Sequence, residues 1–242
     1  GIEIEFEGAI TSVPYIKMTL SLLEELGIST SFSGQKITVA SKTKIENTTI
    51  TVESDWSSAS YYYSLVALSE DGKIVLNSYK QKSLQGDSVL AEIYKSFGVK
   101  TTFSEHSIQL EKIKYFENPT AVSFDLIKAP DIAQTIAVTC FGMGISCDLS
   151  GLHTLKIKET DRLVALENEL TKLGAEIEVT NETLHLKAAK QIKSEVSIAT
   201  YQDHRMAMAF APLLLKTSLQ IEEANVVSKS YPTFWEDFSN FQ

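Results

Sequence analysis

Residues 156–162, KIKETDR, place Lys156, Lys158 and Arg162 around Glu159 and Asp161. A carboxylate beside cations at a helix start can move a proton while its neighbours hold a charged substrate. On charge pattern alone the stretch reads as a solvated helix start, entered from an edge strand that points Lys156 and Lys158 outward. YQDHRMAM, 201–208, is sharper, because Arg205 falls in the first turn of an apolar helix. The helix dipole disfavours a cation there, and a residue set against local preference is a functional candidate. Its guanidinium suits a carboxylate or phosphate taken bidentately. His204 by itself reads as a structural histidine. KAPDIAQT places Asp131 before another apolar run, as a helix cap or as a group that orients or deprotonates a hydroxyl. ESDWSSAS offers Ser57, Ser58 and Ser60 as caps or as a phosphate cradle, and SKSYPTFW holds Lys229 in a loop where a single Lys is ordinarily solvated. The sequence carries no nucleophile triad, Walker loop or dinucleotide fingerprint.

The elements that must position these residues follow a repeat. LLEELGISTSFSGQKITV (22–39), IYKSFGVKTTFSEHSIQL (93–110) and ELTKLGAEIEVTNETLHL (169–186) each read as a helix end, a glycine, a strand, a polar turn and a second strand. Gly27, Gly98 and Gly174 fit the left-handed position that ends a helix, and Ser33-Gly34, Ser104-Glu105 and Asn181-Glu182 read as hairpin turns. Asp55, Asp131 and Asp203 each precede an apolar helix, 76 and 72 residues apart, while the glycines lie 71 and 76 apart. Two markers with one period argue for a repeated unit ordered helix, hairpin, helix, strand. Helices apolar nearly all round (YYYSLVAL, IAVTCFGM, MAMAFAPLLL) belong in an interior. The stripe Leu163, Leu166, Leu170 and Leu173 marks an exterior amphipathic helix. The class is α/β, layered. Asp87 and Asp161 also fall at helix starts, and equivalent N-termini aimed at one region create a field suited to anions.

Composition narrows the options. The chain has 242 residues, 43% hydrophobic and 22% charged, with a net charge of −9. That balance is ordinary for a globular protein and argues against a nucleic-acid surface. No apolar run is long enough to span a membrane. Cys140 and Cys147 fit no redox or zinc spacing and read as buried thiols, and the four histidines form no cluster, so no metal site is expected. The opening GIEIEFEGAI reads as a strand already under way, so the chain is expected to be truncated.

SVPYIKMTL, ESDWSSASY, SLQGD, APDIAQTIA, KIKETDRL, ATYQDHRMAMAFA and SKSYPTFW occur in that order, and together they resemble the EPSP synthase (3-phosphoshikimate 1-carboxyvinyltransferase) family over nearly the whole chain. The resemblance implies a fold of repeated βαβαββ units in an inside-out α/β barrel arrangement. Residues 1–52 would be the last unit of a shikimate-phosphate-binding lobe, 53–242 most of a second lobe, with the hinge near 51–55. It implies enolpyruvyl transfer from phosphoenolpyruvate to the 5-hydroxyl of shikimate 3-phosphate, with no cofactor, by a cytoplasmic monomer. Asp131 would contact the shikimate hydroxyls and serve as candidate base, Glu159 would be the acid/base at the methylene, and Lys158 would bridge the substrates. Arg162, Arg205 and Lys229 resemble a phosphoenolpyruvate clamp, Ser12 and Tyr15 match positions near the shikimate phosphate, and Asp203 and His204 would order Arg205. Thr154 stands where the better-known bacterial pattern has a substrate-touching asparagine. The alternatives are a related enzyme acting on a UDP-amino sugar, or a folded fragment without catalysis. Half a cleft is expected to be inactive alone, since positioning supplies much of the catalysis.

Overall fold

A computed structural model of the chain describes residues 1–240. Its clearest repeat is β7 (Ala121–Asp125), α4 (Ala133–Met143), β8 (Ser146–Ser150), α5 (Arg162–Lys172), β9 (Ile177–Val179) and β10 (Leu184–Leu186). This is one complete βαβαββ unit. Its strands form a sheet in the order β7-β8-β10-β9, with β7 and β8 parallel and the remaining pairs antiparallel. The preceding unit contains α2 (Trp56–Leu68), β4 (Lys73–Asn77), α3 (Leu90–Ile93), β5 (Val99–Phe103) and β6 (Ser107–Lys112), with sheet order β4-β6-β5. The following one contains β11 (Val196–Ile198), α6 (His204–Phe210), β12 (Leu219–Ile221) and α7 (Phe234–Ser239), with β11 and β12 parallel. At the other end β1 (Ile2–Glu5), α1 (Val13–Glu25), β2 (Thr30–Ser33) and β3 (Lys36–Val39) make an antiparallel sheet, β1-β3-β2. The three glycines expected to end helices all have positive φ, at 71°, 73° and 102°.

The interior helices are α2, α4 and α6. Trp56, Tyr63, Ile136, Ala137, Met206 and Phe210 are fully buried in one core. Burial of this kind leaves no water for the hydroxyls on these helices, and several of them pair with one another. Ser60 meets Thr135 at 3.0 Å, and Thr139 donates to Ser64 at 2.8 Å while meeting the Tyr94 hydroxyl at 2.9 Å. The hydroxyls thereby fix the register of α2 against α4. Cys140 and Cys147 are free, buried thiols.

Four local expectations change. The edge strand expected to carry Lys156 and Lys158 is absent: β8 ends at Ser150 and a 3₁₀ helix runs over His153–Ile157. Leu152 and Leu155 are both buried while Ile157 is 84% exposed. A buried i, i+3 pair matches three residues per turn, not an alternating strand. Asp131 does not cap α4. It sits inside the short 3₁₀ turn Pro130–Ile132 and makes no cap hydrogen bond. MAMAFAPLLL is not one α-helix: α6 ends at Phe210 and Ala211–Leu215 is 3₁₀, because Pro212 has no N–H to continue the ladder. The helix expected after Asp87 is broken into 3₁₀, α and 3₁₀ pieces between Gly86 and Phe97.

Candidate active site

Ser12, Tyr15, Asp131 and Lys158 converge on one cavity of about 310 Å³. Three segments build it. Ser12 and Tyr15 come from the start of α1, Asp131 from the turn ahead of α4, and Lys158 from the extended residue after the 153–157 turn. The close approach of these segments depends on Gly86, where a Cβ would lie 2.3 Å from the Lys128 carbonyl oxygen and 3.5 Å from Pro14. Sequence reasoning gave no role to Lys128 and His153, which also line the cavity, as does Thr154. Lys128 stands three residues before Asp131 in KAPD, a cue that was available. The Thr154 hydroxyl is buried and has no hydrogen-bond partner among the described residues.

Behind Asp131 lies a network centred on Arg162, which is 2% exposed. Its Nη1 donates to Asp131 Oδ1 at 2.8 Å, its Nη2 to Glu159 Oε2 at 2.5 Å and its Nε to Asp203 Oδ2 at 2.6 Å. Asp161 caps α5 through Val164 N–H and so sets the direction from which Arg162 enters. Lys158 Nζ lies 3.3 Å from Asp131 Oδ1 and Arg205 Nη2 lies 3.8 Å from Oδ2. Burial alone would raise the Asp131 carboxyl. Arg205, Lys158 and Arg162 outweigh it and hold the group below the ordinary carboxylate range. Glu159 behaves alike: burial would raise it, but its own backbone N–H, Arg162, His204 and Arg205 keep it low. Asp131 and Glu159 are therefore ionised acceptors in this state. Tyr15 is pushed up to about 12, first by burial and then by Asp87 and Asp131, with Arg205 opposing; it stays a neutral donor.

Arg205 is placed by the loop before α6. Asp203, fully buried, caps the helix by accepting from Arg205 N–H at 2.8 Å. Tyr201 and Gln202 both hold positive φ, 54° and 56°, a conformation that costs non-glycine residues about 1–3 kcal/mol each and persists only where surroundings impose it. Glu169, buried on α5, imposes it by accepting from Ala199 N–H at 3.0 Å and the Tyr201 hydroxyl at 2.8 Å. Lys229 is exposed and donates to the Gln202 carbonyl at 2.7 Å. It therefore touches the loop that carries Asp203 to Arg205 and does not line the cavity. His204 lies 3.9 Å from Asp203; burial and Arg205 push its imidazole down, against Asp203 and Glu159.

Of the residues singled out from sequence, Ser12, Tyr15, Asp131 and Lys158 thus meet at the cavity, while Glu159, Arg162, Asp203, His204 and Arg205 stand behind it. The arrangement offers ionised carboxylates to accept hydroxyl hydrogens, an ammonium beside Asp131, and guanidinium groups for an anion.

Comparison with solved structures gives the class. The chain superposes on EPSP synthase from Acinetobacter baumannii with a TM-score of 0.78 at 22% identity, covering 98% of this chain and 56% of that one. On the enolpyruvyl transferase NikO from Streptomyces tendae the TM-score is 0.65 at 12% identity, covering 94% and 53%. The fold is that of the enolpyruvyl transferases. Sequence narrows it further. Residues 1–238 match the family model for EPSP synthase (3-phosphoshikimate 1-carboxyvinyltransferase). The 3-phosphoshikimate 1-carboxyvinyltransferase of Bacteroides fragilis is 40% identical over 243 residues, and that of Histophilus somni 34% over 241. The chain belongs to the EPSP synthase family. It spans 58% and 54% of the length of those two relatives.

Proposed function

We propose that this chain supplies one side of the cleft of an enzyme that transfers the enolpyruvyl group of phosphoenolpyruvate to the 5-hydroxyl of shikimate 3-phosphate and releases phosphate. We further propose that it works in the cytoplasm as a monomer without a cofactor. The observation that carries the reading is the cavity in which Asp131, tied to Lys158, Arg162 and Arg205, faces Ser12 and Tyr15. Ser12 and Tyr15 take the shikimate phosphate. Asp131 accepts the hydrogen of the attacking hydroxyl, and Lys158 lies between the two substrates. Arg162, Arg205 and Lys229 hold phosphoenolpyruvate. Arg162 does so through the two of its five N–H groups that the three carboxylates leave over, and Lys229 only after leaving the Gln202 carbonyl.

The chemistry follows from this placement. The hydroxyl oxygen bonds to the central carbon as its proton passes to Asp131 and the methylene takes a proton from Glu159. Phosphate then leaves the tetrahedral adduct, carrying away the proton held by Asp131, as a proton of the new methyl group returns to Glu159. Its own backbone N–H and Arg162 hold Glu159 ionised, so an anion that engages Arg162 eases the protonation of Glu159. Stabilisation of the developing charge comes from preorganised cations and helix starts.

The test is phosphate release by the full-length enzyme. Release is expected only when shikimate 3-phosphate and phosphoenolpyruvate are both present, and not from the 242-residue chain by itself. Release with a UDP-amino sugar in place of shikimate 3-phosphate would assign the chain to the other branch, and no release with either acceptor would leave a folded, non-catalytic protein.

A further inference from the structure

SLQGD has no part in the chemistry above, yet it places a buried carboxylate beside the anion-binding arginine. Gln85 latches the turn to the start of α2, accepting from Trp56 N–H at 2.9 Å and donating to the Ser54 carbonyl at 2.8 Å. Gly86 permits the flush packing against Lys128 and Pro14. Asp87 then lies 4% exposed against Ser57, itself 3% exposed. The Ser57 hydroxyl donates to Asp87 Oδ2. A hydroxyl has one hydrogen, so with that hydrogen committed Ser57 presents a lone pair, and Arg205 Nη2 donates to it at 3.3 Å. Tyr61, one turn along the same face of α2, has its hydroxyl pushed up by burial and lies close enough to Arg205 for that charge to oppose the rise.

The direction of the relay is fixed by this chemistry. An acidic acceptor behind Ser57 turns the serine into an acceptor, and that acceptor aims the guanidinium. We infer that Asp87 is a positioning residue for anionic substrate: acting through Ser57, it holds Arg205 in the orientation that binds phosphoenolpyruvate. The inference rests on the proposed role of Arg205. Burial pushes the Asp87 carboxyl up to about 6, with Ser57 and Arg205 opposing and Asp131 and Asp55 adding to the rise. The fold therefore keeps a carboxylate where a neutral residue would be easier to bury, the mark of a group retained for its effect on a neighbour.

Steady-state kinetics of the full-length enzyme separate positioning from mere structure. Asp87→Ala and Ser57→Ala are each expected to raise the KM for phosphoenolpyruvate about 10-fold or more, with kcat held within about threefold, because the loss falls on substrate binding. Asp87→Asn, whose amide oxygen still accepts from Ser57, is expected to restore KM to within about threefold. The double variant should match the singles, since both act through one relay. Ser57→Ala removes a single oxygen and keeps the test open should Asp87→Ala fail to fold. An unchanged KM in Ser57→Ala, or an Asp87→Asn variant no better than Asp87→Ala, overturns the inference. Arg205→Ala is the control. If it raises KM while Ser57→Ala does not, the relay alone is wrong; if it leaves KM unchanged, the assignment of Arg205 as anion holder is wrong as well.

Discussion

The starts of α5 and α6 look alike in sequence and differ in what they do with their arginine. Each helix is capped by an aspartate, Asp161 or Asp203, and each carries an arginine in its first turn. Arg162 is 2% exposed and spanned by three carboxylates within 2.8 Å. Arg205 is 15% exposed, its nearest carboxylate atom stands 3.8 Å away, and a serine hydroxyl aims it. Burial decides the difference. An arginine fully removed from water must be neutralised on the spot, so it becomes the frame that holds Asp131, Glu159 and Asp203 together. A partly exposed one can leave charge for a ligand. The two helix starts thus weight one site differently: Arg162 is chiefly the frame, with two N–H groups left over for an anion, and Arg205 is chiefly the grip.

The comparison breaks most visibly at Arg162. Arg162→Ala leaves the fully buried Asp203 and the 12%-exposed Asp131 without their closest charged partner and is expected to cost about 3–5 kcal/mol of stability, read by chemical or thermal unfolding. Glu159→Gln keeps the shape of the same frame but removes the proton carrier. Its kcat is expected to fall about 100-fold or more with little change in unfolding, and a near-wild-type rate would take Glu159 out of the mechanism.

A third variant bears on the grip. The Asp87 carboxyl is raised from 3.8 to about 6 in the fold, so its ionisation opposes folding as pH rises through that value. Asp87→Asn is therefore expected to be more stable than the parent by about 1–3 kcal/mol near pH 8, and to lose that advantage below about pH 4, where the parent carboxyl is neutral in both states. An advantage that grows on acidification would contradict the assignment. Smallest of all, Lys156→Ala should change stability by less than about 0.5 kcal/mol, since its contact with Asn181 is on the exposed surface.

The periodic part of this architecture was legible in the chain. Glycines ending helices and aspartates preceding apolar runs recur with one spacing, and both report local backbone chemistry that a sequence states directly. Motif order then pointed to the family. The frame around Arg162 was not legible, because its partners lie 31 residues before it, three before it and 41 after it, and spacing carries no information on which elements meet in space. Asp131 misled for a related reason. Its position predicted a cap, yet three cations in other segments, Lys158, Arg162 and Arg205, compete for its carboxylate and win. The 153–157 turn misled because a short apolar pattern fits period two and period three alike until burial shows which leucines point inward. Lys229, expected in a loop, ends a 3₁₀ helix over Ala224–Lys229, and its bond to the Gln202 carbonyl depends on a strained loop that no spacing rule reveals.

The division between frame and grip is tested most directly by the KM for phosphoenolpyruvate in the Arg205→Ala full-length enzyme, measured beside its unfolding curve. The expected result is a KM raised at least about 10-fold, as suits the loss of a charge-assisted contact, with stability within about 1 kcal/mol of the parent. An unchanged KM, or a loss of stability as large as that of Arg162→Ala, would contradict it.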